Sequence, residues 1–250
     1  MVFDITFFAL AIPAVMFAGI SKAGFGSGAS FAAAPLMAMV VDPAVSIGIL
    51  LPLFMAVDAV TLRPYWRRWD WQATLPVLIG GLPGVAMGAL FFQQANPDTL
   101  RIFLGGIALA FVVWQSLRYI GLMHFKGRTF GRITGLITGV AAGFTSFISH
   151  AGGPPVAIYM LSVGVGKTTY QASSVLIFWA INIYKAVPYT FLGIFTSQTL
   201  LADLYLLPFA LLGAWIGVKA HFLIPERPFF AVTYGMLLIT GVKLIYDGIV

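Results

Sequence analysis

Apolar residues along this chain neither alternate nor form a stripe with a three-to-four-residue period. They fill whole stretches: residues 3–20, 44–62, 71–92, 99–120, 130–148, 168–192, 199–220 and 228–249 contain little else. At about 1.5 Å rise per residue, runs of about 18–25 residues cross a hydrocarbon core roughly 30 Å thick. Eight spanning helices are therefore predicted. Two shorter runs, 29–41 and 155–164, reach only about half that far and read as half-helices.

Composition agrees with a bilayer protein. The 250 residues are 60% hydrophobic and 9% charged, with a mean hydropathy of +0.96, outside the range of soluble domains. The first apolar run has Asp4 at its edge instead of Lys or Arg, so it reads as a mature membrane segment and not a signal peptide. Absence of cysteine removes disulfides and thiolate chemistry. The three histidines have no metal-ligand spacing, and neither a metal nor any other cofactor is expected. A net charge of +6 does not imply nucleic acid, because the basic residues sit in short loops between apolar runs, where membrane topology puts them.

The sequence also matches itself at an offset near half its length. At 124 residues, Ala18-Gly19 falls on Ala142-Gly143, Gly28 on Gly152, Phe54 on Phe178, Ala56 on Ala180, Asp58 on Asn182 and Pro64-Tyr65 on Pro188-Tyr189. Farther on the offset becomes 129, where Gly84, Gly88 and Gly106 meet Gly213, Gly217 and Gly235. Such ordered, weak symmetry is what duplicated transporters retain. The expectation is an all-α polytopic membrane protein made of two homologous halves, 1–125 and 126–250, each with four spanning helices and one re-entrant half-helix.

Basic residues arbitrate the topology. Eight simple spans put 8 of the 14 on one side, whereas five segments per half, which inverts the second half, gathers Arg63, Arg67, Arg68, Arg118, Lys126, Arg128, Arg132, Lys167, Lys219 and Arg227 together, 10 of 14. Inverted halves with both termini outside are thus expected.

The half-helices begin at two polar breaks, "SKAGFGSGAS" and "SFISHAGGPP". Non-helical backbone within a bilayer is tolerated only where protein or a wet cavity surrounds it. Gly24, Gly26 and Gly28 permit the first turn, and Ser21, Ser27 and Ser30 can satisfy freed backbone groups. In the second, Ser149, His150, Gly152 and Gly153 precede prolines that suit a first helical turn. Two half-helix starts meeting near the midplane would direct N–H groups at a shared anion. Small residues also serve close packing, the reading preferred for Gly84 and Gly213.

Four ionisable residues at depth are candidates. Lys22 either neutralises an anion or sits on the carboxyl end of the preceding helix. Lys185, deep in its run, needs a partner or a polar cavity. Asp58 is a candidate proton carrier, or a salt-bridge partner for Arg63. His150 donates to an anion, titrates, or packs against a carbonyl. Tyr65, Trp66, Trp69 and Trp71 are read as an interfacial aromatic belt.

The two breaks, "AGISKAGFGSGASFAAAPL" and "AGFTSFISHAGGPPVAIYML", in a duplicated cysteine-free chain of this length, resemble the signature regions of the TauE/SafE family of membrane transporters. The first is less glycine-dense than that family's usual run, with Ser27 and Ala29 among the glycines. The resemblance implies transport of sulfite, sulfoacetate, sulfonates or related oxyanions across a bacterial inner membrane. Together with the anion site, it gives a secondary transporter of a small oxyanion working by alternating access, with substrate contacts from Lys22, Gly26, Ser27, Gly28, Ser30, Ser149, His150, Gly152, Gly153 and Lys185. No nucleotide-binding Gly-x-x-x-x-Gly-Lys-Ser/Thr element is present, so a proton or ion gradient or the substrate's own gradient would drive it. The partners expected are a small anion, the lipid bilayer and a second copy of the chain. An intramembrane enzyme using His150 with a serine, and an anion channel, are the alternatives.

Overall fold

A computed structural model describes residues 3–24, 29–119, 131–223 and 226–250. In chain order these form α1 (Ile5–Gly24), a 3-10 turn (Ser30–Ala32) continuing into α2 (Ala33–Met37), α3 (Pro43–Leu62), α4 (Trp71–Gln94), α5 (Pro97–Tyr119), α6 (Arg132–Ser149), α7 (Gly153–Val163), α8 (Lys167–Phe191), α9 (Ser197–Leu223) and α10 (Glu226–Ile249). Among the described residues five helices are long and apolar enough to span a bilayer: Ile5–Gly24, Pro43–Leu62, Trp71–Gln94, Pro97–Leu117 and Ser197–Ala220. In α8, by contrast, polar residues line the buried face: Gln171, Ser173, Ser174, Asn182 and Lys185.

Helix starts follow local chemistry. Asp4 Oδ1 accepts the Phe7 N–H at 2.8 Å, and Asp70 accepts those of Gln72 and Ala73 at 2.7 and 3.1 Å. Asn96 accepts that of Thr99 at 2.7 Å. Each satisfies donors that have no partner inside the helix. Pro43 opens α3, and Pro154 and Pro155 lie in the first turn of α7, where a missing N–H costs nothing.

The packing is inside-out relative to a soluble bundle. Leu75, Ile79, Leu82, Leu90, Leu204, Leu212, Ile239 and Val242 are exposed, whereas Ser21, Lys22, Ser46, Asp58, Gln171, Asn182 and Lys185 are buried. Polar side chains that face the bundle interior while apolar ones face outward are what a hydrocarbon solvent selects. The protein is a multi-pass membrane protein.

Glycines set the closest helix contacts. α1 packs on α9 and α4 on α6. A Cβ at Gly213 would strike the Met16 backbone, and one at Gly84 would strike that of Val140. Gly84 and Gly213 therefore serve packing, as expected. α5 pairs with α10 outside these contacts, and the polar residues of α1, α3, α6 and α8 meet at the centre.

Candidate functional site

The first break starts one turn later than the apolar run suggests. Helix α1 continues through Ser21 and Lys22 to Gly24 and buries both polar side chains. Ser21 Oγ then accepts the Ala29 N–H at 3.3 Å, tying the far side of the break to the end of α1. Gly26, Ser27 and Gly28 lie outside the described residues. The half-helix that follows is a three-residue 3-10 turn and five α-helical residues, so little macrodipole is available from it.

The second break is built on His150. Its φ of 56° and ψ of 13° are left-handed, a region β-carbon sterics disfavour by about 1–2 kcal/mol. This turn ends α6: the His150 N–H donates to Ser146 O at 2.9 Å and the Ala151 N–H to Thr145 O at 3.3 Å. Thr145 Oγ1 donates to Ala151 O at 3.0 Å. Gly152 has no room for a side chain, since a Cβ would lie 2.8 Å from Ala142 O and 2.9 Å from the Phe178 ring. Gly153 then opens α7.

Charged groups converge between the breaks. Lys22 Nζ lies 2.9 Å from Asp58 Oδ1, and Asn182 Nδ2 donates to Asp58 Oδ2 at 2.8 Å. The same ammonium sits 4.9 and 5.4 Å from the Phe54 and Phe178 ring centroids, a cation–π cradle. Phe54 also packs edge-on against His150, with centroids 4.9 Å apart, which links this pair to a second cluster.

In that cluster Lys185, with 0% exposure, donates from Nζ to Ser146 O at 3.0 Å and meets His150 Nδ1 at 2.8 Å. His150 Nε2 lies 3.1 Å from the Ile47 carbonyl. That carbonyl can only accept, so Nε2 carries the ring proton and Nδ1 accepts from Lys185. Among the described residues no carboxylate pairs with Lys185. Two buried lysines thus share one carboxylate, and Lys185 is left with only neutral acceptors.

One hydrogen bond recurs at the repeat spacing. Tyr65 Oη donates to Ala23 O at 3.2 Å and Tyr189 Oη to Phe147 O at 2.6 Å; both donors and both acceptors are 124 residues apart. Asp58 and Asn182, also 124 apart, bond each other directly. Phe54 and Phe178, at the same offset, hold one ammonium between them.

The expected site residues divide accordingly. Lys22, Asp58, His150, Gly152 and Lys185 belong to this connected centre. Ser149 donates its hydroxyl back to Thr145 O at 2.9 Å, a local helix bond, and Ser30 is buried beside the first break. Asp58 pairs with Lys22 and not with Arg63. Tyr65 leaves the expected interfacial belt: it is 3% exposed, whereas Trp66 and Trp71 are 57% and 55% exposed. Its burial holds the phenol above the ordinary tyrosine range, so it serves as a donor to Ala23. Sequence reasoning passed over Phe54, Phe178 and Asn182 as site residues, although each already stood in the list of repeat matches. It also missed Gln171, whose amide donates to Lys22 O and Ala23 O at 2.9 and 3.1 Å and closes the end of α1.

The family model described as "Sulfite exporter TauE/SafE" matches residues 11–244, nearly the whole chain. The chain belongs to the TauE/SafE family. Neither the curated proteins nor the solved structures contain a match to it. TauE/SafE is a family of membrane transporters, and the matched span takes in both breaks, Lys22, Asp58, His150, Asn182 and Lys185. A polar centre enclosed by apolar helices is what a TauE/SafE protein needs if a hydrophilic solute is to cross lipid.

Proposed function

We propose that this TauE/SafE protein is a secondary transporter of a small sulfur oxyanion, sulfite or an organosulfonate such as sulfoacetate, working by alternating access between two inverted halves. The observation that carries the reading is Lys185: a fully buried amine without a carboxylate partner among the described residues, held by Ser146 O and His150 beside the second break. An uncompensated charge in this setting costs several kcal/mol, and an anion removes that cost. The Nε2-protonated tautomer of His150 leaves its ring neutral, so Lys22 and Lys185 supply the positive charge.

Asp58 then acts as a stand-in anion. It neutralises Lys22 and accepts from Asn182. An arriving oxyanion competes for the same ammonium, and the displaced carboxylate is free to take a proton, which would couple anion movement to a proton gradient. Ser30, Ser149, Gly153 and, outside the described residues, Gly26, Ser27 and Gly28 are the proposed lining of the path at the two breaks. The inverted arrangement is supported by the tyrosine bond that recurs 124 residues apart. It is also supported by the reciprocal packing of the first helix of each half on the third spanning helix of the other, α1 on α9 and α6 on α4. In such a design two halves of similar shape rock about a fixed central site.

The test is sulfite flux into proteoliposomes. Wild-type flux is expected to saturate and to be competed by sulfoacetate, and Lys185→Met is expected to abolish it. Flux that rises linearly with concentration would indicate a channel, chemical turnover of the anion an enzyme, and unchanged flux in Lys185→Met would remove Lys185 from the site.

A further inference from the structure

A second buried acid lies outside this centre. Asp203 is on α9, six residues from its start at Ser197, about 9 Å along the axis. It shares the inward stripe of Ala202, Leu206, Ala210 and Ala214, all buried in the main apolar core, and is itself 8% exposed. Neither carboxyl oxygen has a hydrogen-bond partner among the described residues, and neither is reached by solvent. Asp58, by comparison, has both oxygens occupied.

No neighbouring charge accounts for it. α9 packs on α1 and α3. The ionisable groups of α1 and its cap are Asp4, which holds the Phe7 N–H, and Lys22, which is paired with Asp58. On α3 they are Asp58 and, at its two caps, Asp42, which lies 3.7 Å from Arg101, and Arg63. On α9 itself Lys219 stands over the Trp215 ring, four turns beyond Asp203. At the position 129 residues earlier, the offset that relates α4 to α9, stands Thr74, whose hydroxyl is also buried without a partner. The same place in each half is therefore polar and unsatisfied, but only in the second is it ionisable.

An isolated carboxylate in apolar surroundings is costly unless something neutralises it. A metal cation would need several further oxygen ligands, and among the described residues no group of three or more His, Asp or Glu side chains could hold one. A proton needs none. We propose that Asp203 is a proton-binding site of the transport cycle, separate from Asp58 and nearer the end of the bundle where α9 begins.

Two measurements on the full-length protein test this. Dicyclohexylcarbodiimide enters apolar sites and adds only to the acid form of a carboxyl group, so peptide mapping after treatment should find Asp203 modified, more slowly at alkaline pH, and Asp58 unmodified. An unmodified Asp203 would overturn the proposal. In proteoliposomes with a pH-sensitive dye inside, sulfite entry should move protons in wild-type protein, whereas Asp203→Asn should still carry sulfite with fewer protons moved per sulfite, Asp58 remaining in place. Proton movement at the wild-type ratio in Asp203→Asn, or loss of all sulfite flux, would also overturn it. Wild-type protein that carries no sulfite would count against the substrate reading, and labelling alone would then decide on Asp203.

Discussion

Replacing Asp58 by Asn isolates what the Lys22 pair contributes. The 2.9 Å contact corresponds to an attraction of about 6 kcal/mol at an effective dielectric constant of about 20. Much of this offsets the desolvation of the two charges, so the pair adds little net stability compared with two apolar groups. Removing only the carboxylate is different. The ammonium stays 2% exposed between Phe54 and Phe178, unneutralised, and a buried pair broken from one side costs about 3–5 kcal/mol. Because the amide oxygen still accepts from Asn182, the loss should be electrostatic and not steric. Lys22→Met should cost a similar amount, and the double variant should return to within about 1 kcal/mol of wild type. Unfolding in mixed micelles, followed by tryptophan fluorescence, gives all four corners of the cycle. Sulfite should stabilise Asp58→Asn more than wild type, because no carboxylate has to be displaced. Single-variant losses that simply add in the double variant would refute the reasoning, as would an Asp58→Asn protein as stable as wild type.

Other positions give separate outcomes. His150→Gly should relieve the left-handed backbone by about 1 kcal/mol yet lose sulfite flux, because the ring orients Lys185; flux equal to wild type would detach the ring from the site. Gly152→Ala should cost about 1–3 kcal/mol by overpacking against Ala142 O and Phe178, seen as a lower thermal midpoint. Tyr65→Phe and Tyr189→Phe should each cost about 1 kcal/mol, one hydrogen bond, and by similar amounts because their bonds occupy equivalent places at the two breaks.

Much of this organisation is written in the sequence, and for physical reasons. Lipid admits only long apolar helices, so the expected run 71–92 and the observed helix Trp71–Gln94 differ by two residues at one end. The breaks were legible because glycines, serines and prolines have no other reason to cluster in hydrocarbon. Where α1 ends was not: "SKAG" reads as a loop by composition, but its polar groups are satisfied by Asp58, Ala29 and Gln171 from elsewhere, so the helix runs on to Gly24. Lys22 and Asp58 could be named as costly at depth, whereas their pairing could not, since 36 residues and a half-helix separate them. The repeat held more than was read from it. Phe54 and Phe178 marked a cradle that only three-dimensional proximity reveals. Asp203 stayed hidden because a single acid in the first turns of an apolar helix looks like an exposed end group until its neighbours are known.

The central claim is that the buried charge on Lys185 awaits an anion. Titration calorimetry of sulfite into purified wild-type protein and into Lys185→Met tests it most directly. Saturable binding by the wild type, weakened about 100-fold in a Lys185→Met protein of equal or higher thermal midpoint, is the predicted result. Equal affinity in the two proteins would contradict it.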